Sequence, residues 1–106
     1  MRRLIVAVVA VLALASPPAG AQSIGSPAAG RDLAGQWCSS CHAINAGAAE
    51  SPRAAATAFA AIAAQPRTTE TSLRFFLQTP HIDMPNLVLK PEQIDDLVAH
   101  ILSLRR

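Results

Sequence analysis

The chain has 106 residues, nine lysines and arginines against seven acidic residues, and three histidines. That length holds one domain, or one domain behind a leader. A charge excess of two excludes a nucleic-acid binder that works by neutralising phosphates, and two cysteines are too few for a disulfide-built scaffold.

The first segment reads as an export signal. Arg2 and Arg3 precede the unbroken apolar run Leu4 to Ala15, followed by the small, proline-containing stretch Ser16 to Ala21. A basic start, an apolar middle and a small-x-small end (Ala19-Gly20-Ala21) form a secretory signal peptide. As a membrane anchor the run is too short: twelve residues span ~18 Å of a ~30 Å hydrocarbon core. Cleavage divides the chain into a signal peptide, 1–21, and a mature domain, 22–106, in which seven basic residues balance seven acidic ones. Its apolar content is largely alanine, with four aromatics, Trp37, Phe59, Phe75 and Phe76. So thin a core is marginal for a chain this size and calls for a bulky apolar group in the middle.

Along the mature chain the periodicity is helical throughout. Ser26-Pro27 forms an N-cap with proline at the first helical position. The helix that follows carries Leu33 and Trp37 on one face, Gly30 and Ala34 on another, and runs into Cys38. Residues 43–51 are small and polar and read as loop. Pro52 is expected to open a second, alanine-rich helix through Ala64 that buries Phe59 and Ile62, with Pro66 ending it. Thr68 or Thr69 caps a third helix with Leu73, Phe76 and Leu77 as its apolar stripe. Pro80 stops that helix, and residues 80–90 read as extended. Pro91 opens the last helix, where Ile94, Leu97, Val98, Ile101 and Leu102 make the clearest amphipathic pattern. The expected class is all-α, about four helices.

Cys38-Ser39-Ser40-Cys41-His42 is C-x-x-C-H, the attachment pattern of a c-type haem. Two thiols at this spacing reach the two vinyl groups on one edge of the ring, and the adjacent imidazole reaches the iron as an axial ligand. Covalent attachment also supplies the missing apolar bulk. Other uses of the motif fit less well. A thioredoxin-like redox pair needs a βαβ context that the helical periodicity does not offer. A zinc site would have to draw on His81 and His100, which lack paired spacing. A plain structural disulfide is compatible with an exported chain.

With this motif the chain resembles the small class I cytochromes c exported by bacteria, over roughly residues 28–104. The matching features are Gly30 eight residues before Cys38, the Cys38–His42 run, Pro52, Met84-Pro85 after Pro80-His81, and the closing run Ile94–Leu104. The resemblance implies a cytochrome c-like fold around one covalent haem c with its iron, and end helices crossing at Gly30. It implies that Pro52 offers its carbonyl to the ring nitrogen of His42 that faces away from the iron. The family often places an aromatic pair at the helix crossing, where this chain has Ala34 and His100; His100 reads as a boundary residue beside Asp96.

Met84 is the only methionine left after the leader, 42 residues beyond His42, in a non-helical segment stiffened by Pro85. It is the expected second axial ligand; filling core space is the alternative, and His81, read as exposed in the loop, is the rival ligand. His42 and Met84 together close the iron and raise its potential, which implies a single-electron carrier rather than an enzyme. Its partners would be redox proteins, a periplasmic dehydrogenase or a terminal oxidase. A cytochrome subunit of a dehydrogenase complex is the alternative, and an open-site haem sensor or peroxidase-like protein requires that Met84 not ligate. Arg53, Arg67 and Trp37 are candidates to hold the haem propionates. The balanced mature charge and the single lysine, Lys90, imply docking through apolar contact rather than charge steering.

Processing of the leader has a direct test. The haem-loaded protein purified from its host is expected to begin at or near Gln22 by N-terminal sequencing or intact mass; retention of Met1–Ala15 in that product would contradict it.

Overall fold

A computed structural model describes residues 24–105; the expected signal peptide, 1–21, lies outside the described residues. The described chain is helical, as expected: α1 Pro27–Trp37, α2 Phe59–Ala64, α3 Glu70–Gln78 and α4 Pro91–Ser103. The only β pairing among the described residues is an isolated antiparallel bridge between His81 and Met84.

Local chemistry explains where three of the helices begin. In α1 the Ser26 hydroxyl accepts from the Ala29 amide at 3.2 Å, and Pro27 occupies the first position, where a missing N–H is harmless. Thr69 and Ser72 cap α3 reciprocally: the Ser72 amide donates to Thr69 Oγ1 (3.0 Å), and the Thr69 amide donates to Ser72 Oγ (2.8 Å). Pro91 opens α4, and the Lys90 amide is taken up by Gln93 Oε1 at 2.9 Å.

The second helix departs from expectation. It starts at Phe59, not at Pro52, although residues 53–58 include four alanines. Helix propensity is overridden because the backbone of this stretch is engaged elsewhere. The Arg53 amide donates to the Cys41 carbonyl (3.1 Å), the Phe59 amide donates to the Ala43 carbonyl (2.9 Å), and the Thr57 carbonyl accepts from His42. The stretch folds back over the Cys38–His42 turn instead of winding into a helix.

Helix α4 is the hub: α1, α2 and α3 all pack on it, α1 most extensively. Leu97 and Val98 are fully enclosed, with Ile94, Ile101, Ala34, Ala63, Leu73 and Phe59 around them. Glycine makes the α1–α4 contact possible. A Cβ on Gly30 would come within 1.9 Å of the Asp96 carbonyl oxygen and 2.9 Å of His100 Cβ. One on Gly25, which also has φ +101°, would meet the Asp95 carbonyl oxygen at 2.3 Å. Asp96 then fastens the entry to α1, its Oδ1 accepting from the Ser26 amide at 2.8 Å.

Two arginines tie down the periphery. Arg74 of α3 joins Glu70 at 2.9 Å and Asp95 of α4, and these hydrogen bonds, Asp95 first, hold the guanidinium pKa above its usual value. Arg105, past the end of α4, donates to the carbonyls of Ala63 (2.9 Å) and Thr68, closing the α2–α3 corner.

The crossing gives opposite outcomes for two glycines of α1. Gly30→Ala is expected to cost about 3 kcal/mol, because the Asp96 backbone and the His100 Cβ, which cannot swing aside, stand in the way. Gly35→Ala is expected to be neutral or to stabilise by up to ~1 kcal/mol, since its Cβ would meet nothing nearer than Ile44 Cδ1 at 3.9 Å. Denaturant unfolding of the haem-loaded variants checks both, and equal effects would contradict the packing described.

Candidate functional site

The Cys38–His42 motif is a helical turn grown from the end of α1. The Cys38 and Ser39 amides both donate to the Ala34 carbonyl (2.8 and 2.9 Å), and the Cys41 and His42 amides return to the Cys38 carbonyl (3.2 and 2.9 Å). Ser39 Oγ adds a bond to the Gly35 carbonyl at 2.6 Å. Cys38, Cys41 and His42 are therefore carried by rigid backbone onto one cavity wall. The cysteines are free thiols rather than a disulfide. Burial, and secondarily the neighbouring Cys41, pushes the Cys38 pKa up, so that Cys38 meets the cavity as a neutral thiol.

His42 is oriented by the backbone, but not by the residue expected. Its Nδ1 lies 2.6 Å from the carbonyl oxygen of Thr57; Pro52 is exposed and lies off the cavity wall. The reason is the return of residues 53–58 described above, which brings Thr57 rather than Pro52 beneath the ring. Since a carbonyl only accepts, Nδ1 carries the proton and Nε2 keeps a free lone pair, the form a metal-ligating imidazole needs. Phe59 backs the ring, centroids 5.4 Å apart.

His100 also departs from expectation. It is buried, 4 % exposed, with Nε2 on the Ile44 carbonyl at 2.7 Å and its ring 6.1 Å from that of Phe59. It does not pair with Asp96, whose carboxylate holds Ser26. With the Ala43 amide on Ser51 Oγ (3.0 Å) and the Ala43 carbonyl on Phe59, His100 fixes the two residues that follow His42.

The cavity has a volume of about 510 Å³ and a mainly apolar lining, within the range of small-molecule and cofactor sites. Met84 reaches it from the extended segment after α3, so both expected axial ligands border one space. Leu73, Phe76 and Leu77 of α3, with Leu97 and Ile101 of α4, supply apolar wall. Trp37, Arg53 and Arg67, the three propionate candidates, line it as well. His81 also lines it; it is half-buried and stacked on Phe76 rather than exposed. Among the described residues no three of His, Cys, Asp and Glu converge as a site for a bare metal ion.

The family model described as Cytochrome c matches residues 27–105. Cytochrome c-552 from Bradyrhizobium diazoefficiens is 39% identical over 95 residues, which cover 90% of this chain and 89% of that protein. No solved structure gives a significant match. The residues fit a covalent haem: two thiols, a tautomer-fixed imidazole and a thioether border one apolar cavity of suitable volume. Among the described residues no helix is long and apolar enough to cross a membrane.

Sequence reading did not find Thr57 or the inward role of His100. A backbone acceptor leaves no side-chain signature, and nothing in the helical pattern marks a histidine as a donor to a distant loop. His100→Ala is expected to destabilise the haem-loaded protein by about 3 kcal/mol, from the void beside Phe59 and the unpaired Ile44 carbonyl. Denaturant unfolding measures it, and a loss below ~1 kcal/mol would contradict this role.

Proposed function

The chain belongs to the cytochrome c family, and we propose that it is an exported, periplasmic electron carrier whose haem iron is held by His42 and Met84. Its cofactor is haem c, which when bound supplies a one-electron Fe(II)/Fe(III) couple. The observation that carries the ligand assignment is the meeting of His42, with Nδ1 already committed to Thr57, and Met84, the sole methionine of the mature chain, at one cavity.

The roles follow from chemistry. Cys38 and Cys41 tether the ring through thioethers. His42 presents Nε2 in a fixed orientation, and its Nδ1–H bond to Thr57 strengthens it as a donor. Met84 would offer the iron a soft thioether, a donor that favours the reduced state and raises the potential. The apolar wall from α3 and α4 keeps water away from the iron. Arg53, Arg67 and Trp37 would receive the propionates. With His42 and Met84 both held to the iron, no place would remain for a substrate, which suits a protein that passes electrons without transforming a molecule. The leader read at residues 1–21 supports export.

A second reading has an observation in its favour. Phe75, Ile82 and Val88 are 71%, 93% and 91% exposed, and Ile82 stands on the cavity rim two residues from Met84. An exposed apolar side chain at that rim suits docking to a redox partner, as in the cytochrome subunit of a periplasmic dehydrogenase complex.

Met84→Ala is expected to keep covalent haem, since Cys38, Cys41 and His42 are untouched. It should lose the near-infrared sulfur–iron(III) band and lower the midpoint potential by a sizeable part of the ~0.8 V over which axial ligands set haem potentials. Reduced wild type is expected to leave carbon monoxide unbound. An unchanged potential in the variant, or ready carbon monoxide binding by the wild type, would remove Met84 from the iron and favour a sensor or peroxidase-like protein.

A further inference from the structure

The three histidines of this chain are in different situations. His42 and His100 each commit a ring nitrogen to a backbone carbonyl, Thr57 and Ile44 respectively. His81 differs from both in its contact among the described residues: its ring stacks on Phe76, centroids 3.4 Å apart and planes at 28°, with no backbone carbonyl paired to it as in His42 and His100. It is half-buried, and it lines the same cavity as Met84.

The backbone couples His81 to Met84. The two face each other as an isolated antiparallel bridge across the two-residue turn Ile82-Asp83. Directly opposed residues of an antiparallel pair send their side chains to the same face. Asp83 has φ +67°, the left-handed conformation that the second corner of a tight turn requires and that Asp tolerates better than most residues. One short turn thus delivers a thioether and an imidazole to one side of the segment and to one cavity. Either is an axial ligand for haem iron.

We infer that His81 is a reserve axial ligand: when the Met84 thioether leaves the iron, the His81 imidazole takes its position. The exchange breaks one sulfur–iron bond and forms one nitrogen–iron bond, with no net electron transfer. Any proton on the imidazole passes to water. Phe76 holds the ring at the cavity wall before the exchange. The chain then remains a closed, lower-potential carrier instead of exposing its iron to water and small gases. This rests on the reading that Met84 is the resident ligand.

The test compares haem-loaded wild type with His81→Phe, which keeps an aromatic against Phe76, with Met84→Ala, and with the double variant. Each is read by optical and paramagnetic-resonance spectra, midpoint potential and carbon monoxide titration of the reduced form. His81→Phe alone is expected to keep the sulfur–iron(III) band and the wild-type potential. Met84→Ala is expected to stay low-spin with a lowered potential. Its apparent carbon monoxide affinity should be about tenfold or more below that of the double variant, because His81 leaves only a small open fraction. The double variant should turn high-spin. Equal carbon monoxide affinities in the two Met84 variants, or a double variant that stays low-spin, would overturn the role of His81.

The wild-type band separates the two readings. If the band is absent, and the low-spin state is lost in His81→Phe, then His81 is resident and both Met84 as ligand and His81 as reserve are overturned. Should the Met84 variants fail to accumulate, peroxide oxidation of wild type and His81→Phe removes the same ligand, one peroxide oxygen passing to the Met84 sulfur and the other leaving as water. Oxidised wild type is expected to stay low-spin and oxidised His81→Phe to open; the same spectrum from both would again overturn the inference.

Discussion

The fold hangs on the approach of two backbones where α1 crosses α4. At Gly30 the helices are so close that even a methyl group would overlap the Asp96 carbonyl, and Gly25 repeats the demand five residues earlier. Asp96 adds a direct bond to Ser26 at the start of α1. Since the Cys38–His42 turn grows from the other end of α1, this crossing decides where the two thiols and His42 stand. Helices α2 and α3 pack on the same α4, so one hub sets both the motif and the apolar wall it faces.

The cofactor and the polypeptide solve each other's problem. A domain rich in alanine has few large side chains with which to fill its middle. The cavity between the motif, α3, α4 and the Met84 segment is the space such a chain leaves, and its volume and apolar lining suit the haem c of the family. Phe76 and Trp37, 47% and 45% exposed, border that space and offer aromatic surface to an occupant. Tethering through two cysteines lets so small a domain keep the group permanently.

Much of this was legible from residue types, and the exceptions have a common cause. Pro27 and Pro91 at helix starts, Thr69 as a cap, and the stripe Ile94–Leu102 are local signals, and each matches the structure. The structure also brings Cys38, Cys41, His42 and Met84 to one cavity, with Arg53, Arg67 and Trp37 on its wall. What local signals missed depends on backbone groups meeting over long separations. The alanines after Pro52 favour helix, yet the amide of Arg53 and the carbonyl of Thr57 are claimed by the motif turn and by His42, and the helix waits until Phe59. Pro52 stood out in the sequence as a residue; Thr57 acts through a carbonyl that every residue possesses. His100 looked like a boundary position because its partner, the carbonyl of Ile44, lies 56 residues away.

The central claim is that His42 and Met84 hold one haem between them, and proton resonance of the reduced, diamagnetic protein tests it most directly. A methionine methyl fixed over the face of a haem lies in the ring current, so the single Met84 methyl signal is expected far upfield of ordinary methyl resonances. A Met84 methyl at an ordinary shift, in protein with covalently bound haem, would contradict the account.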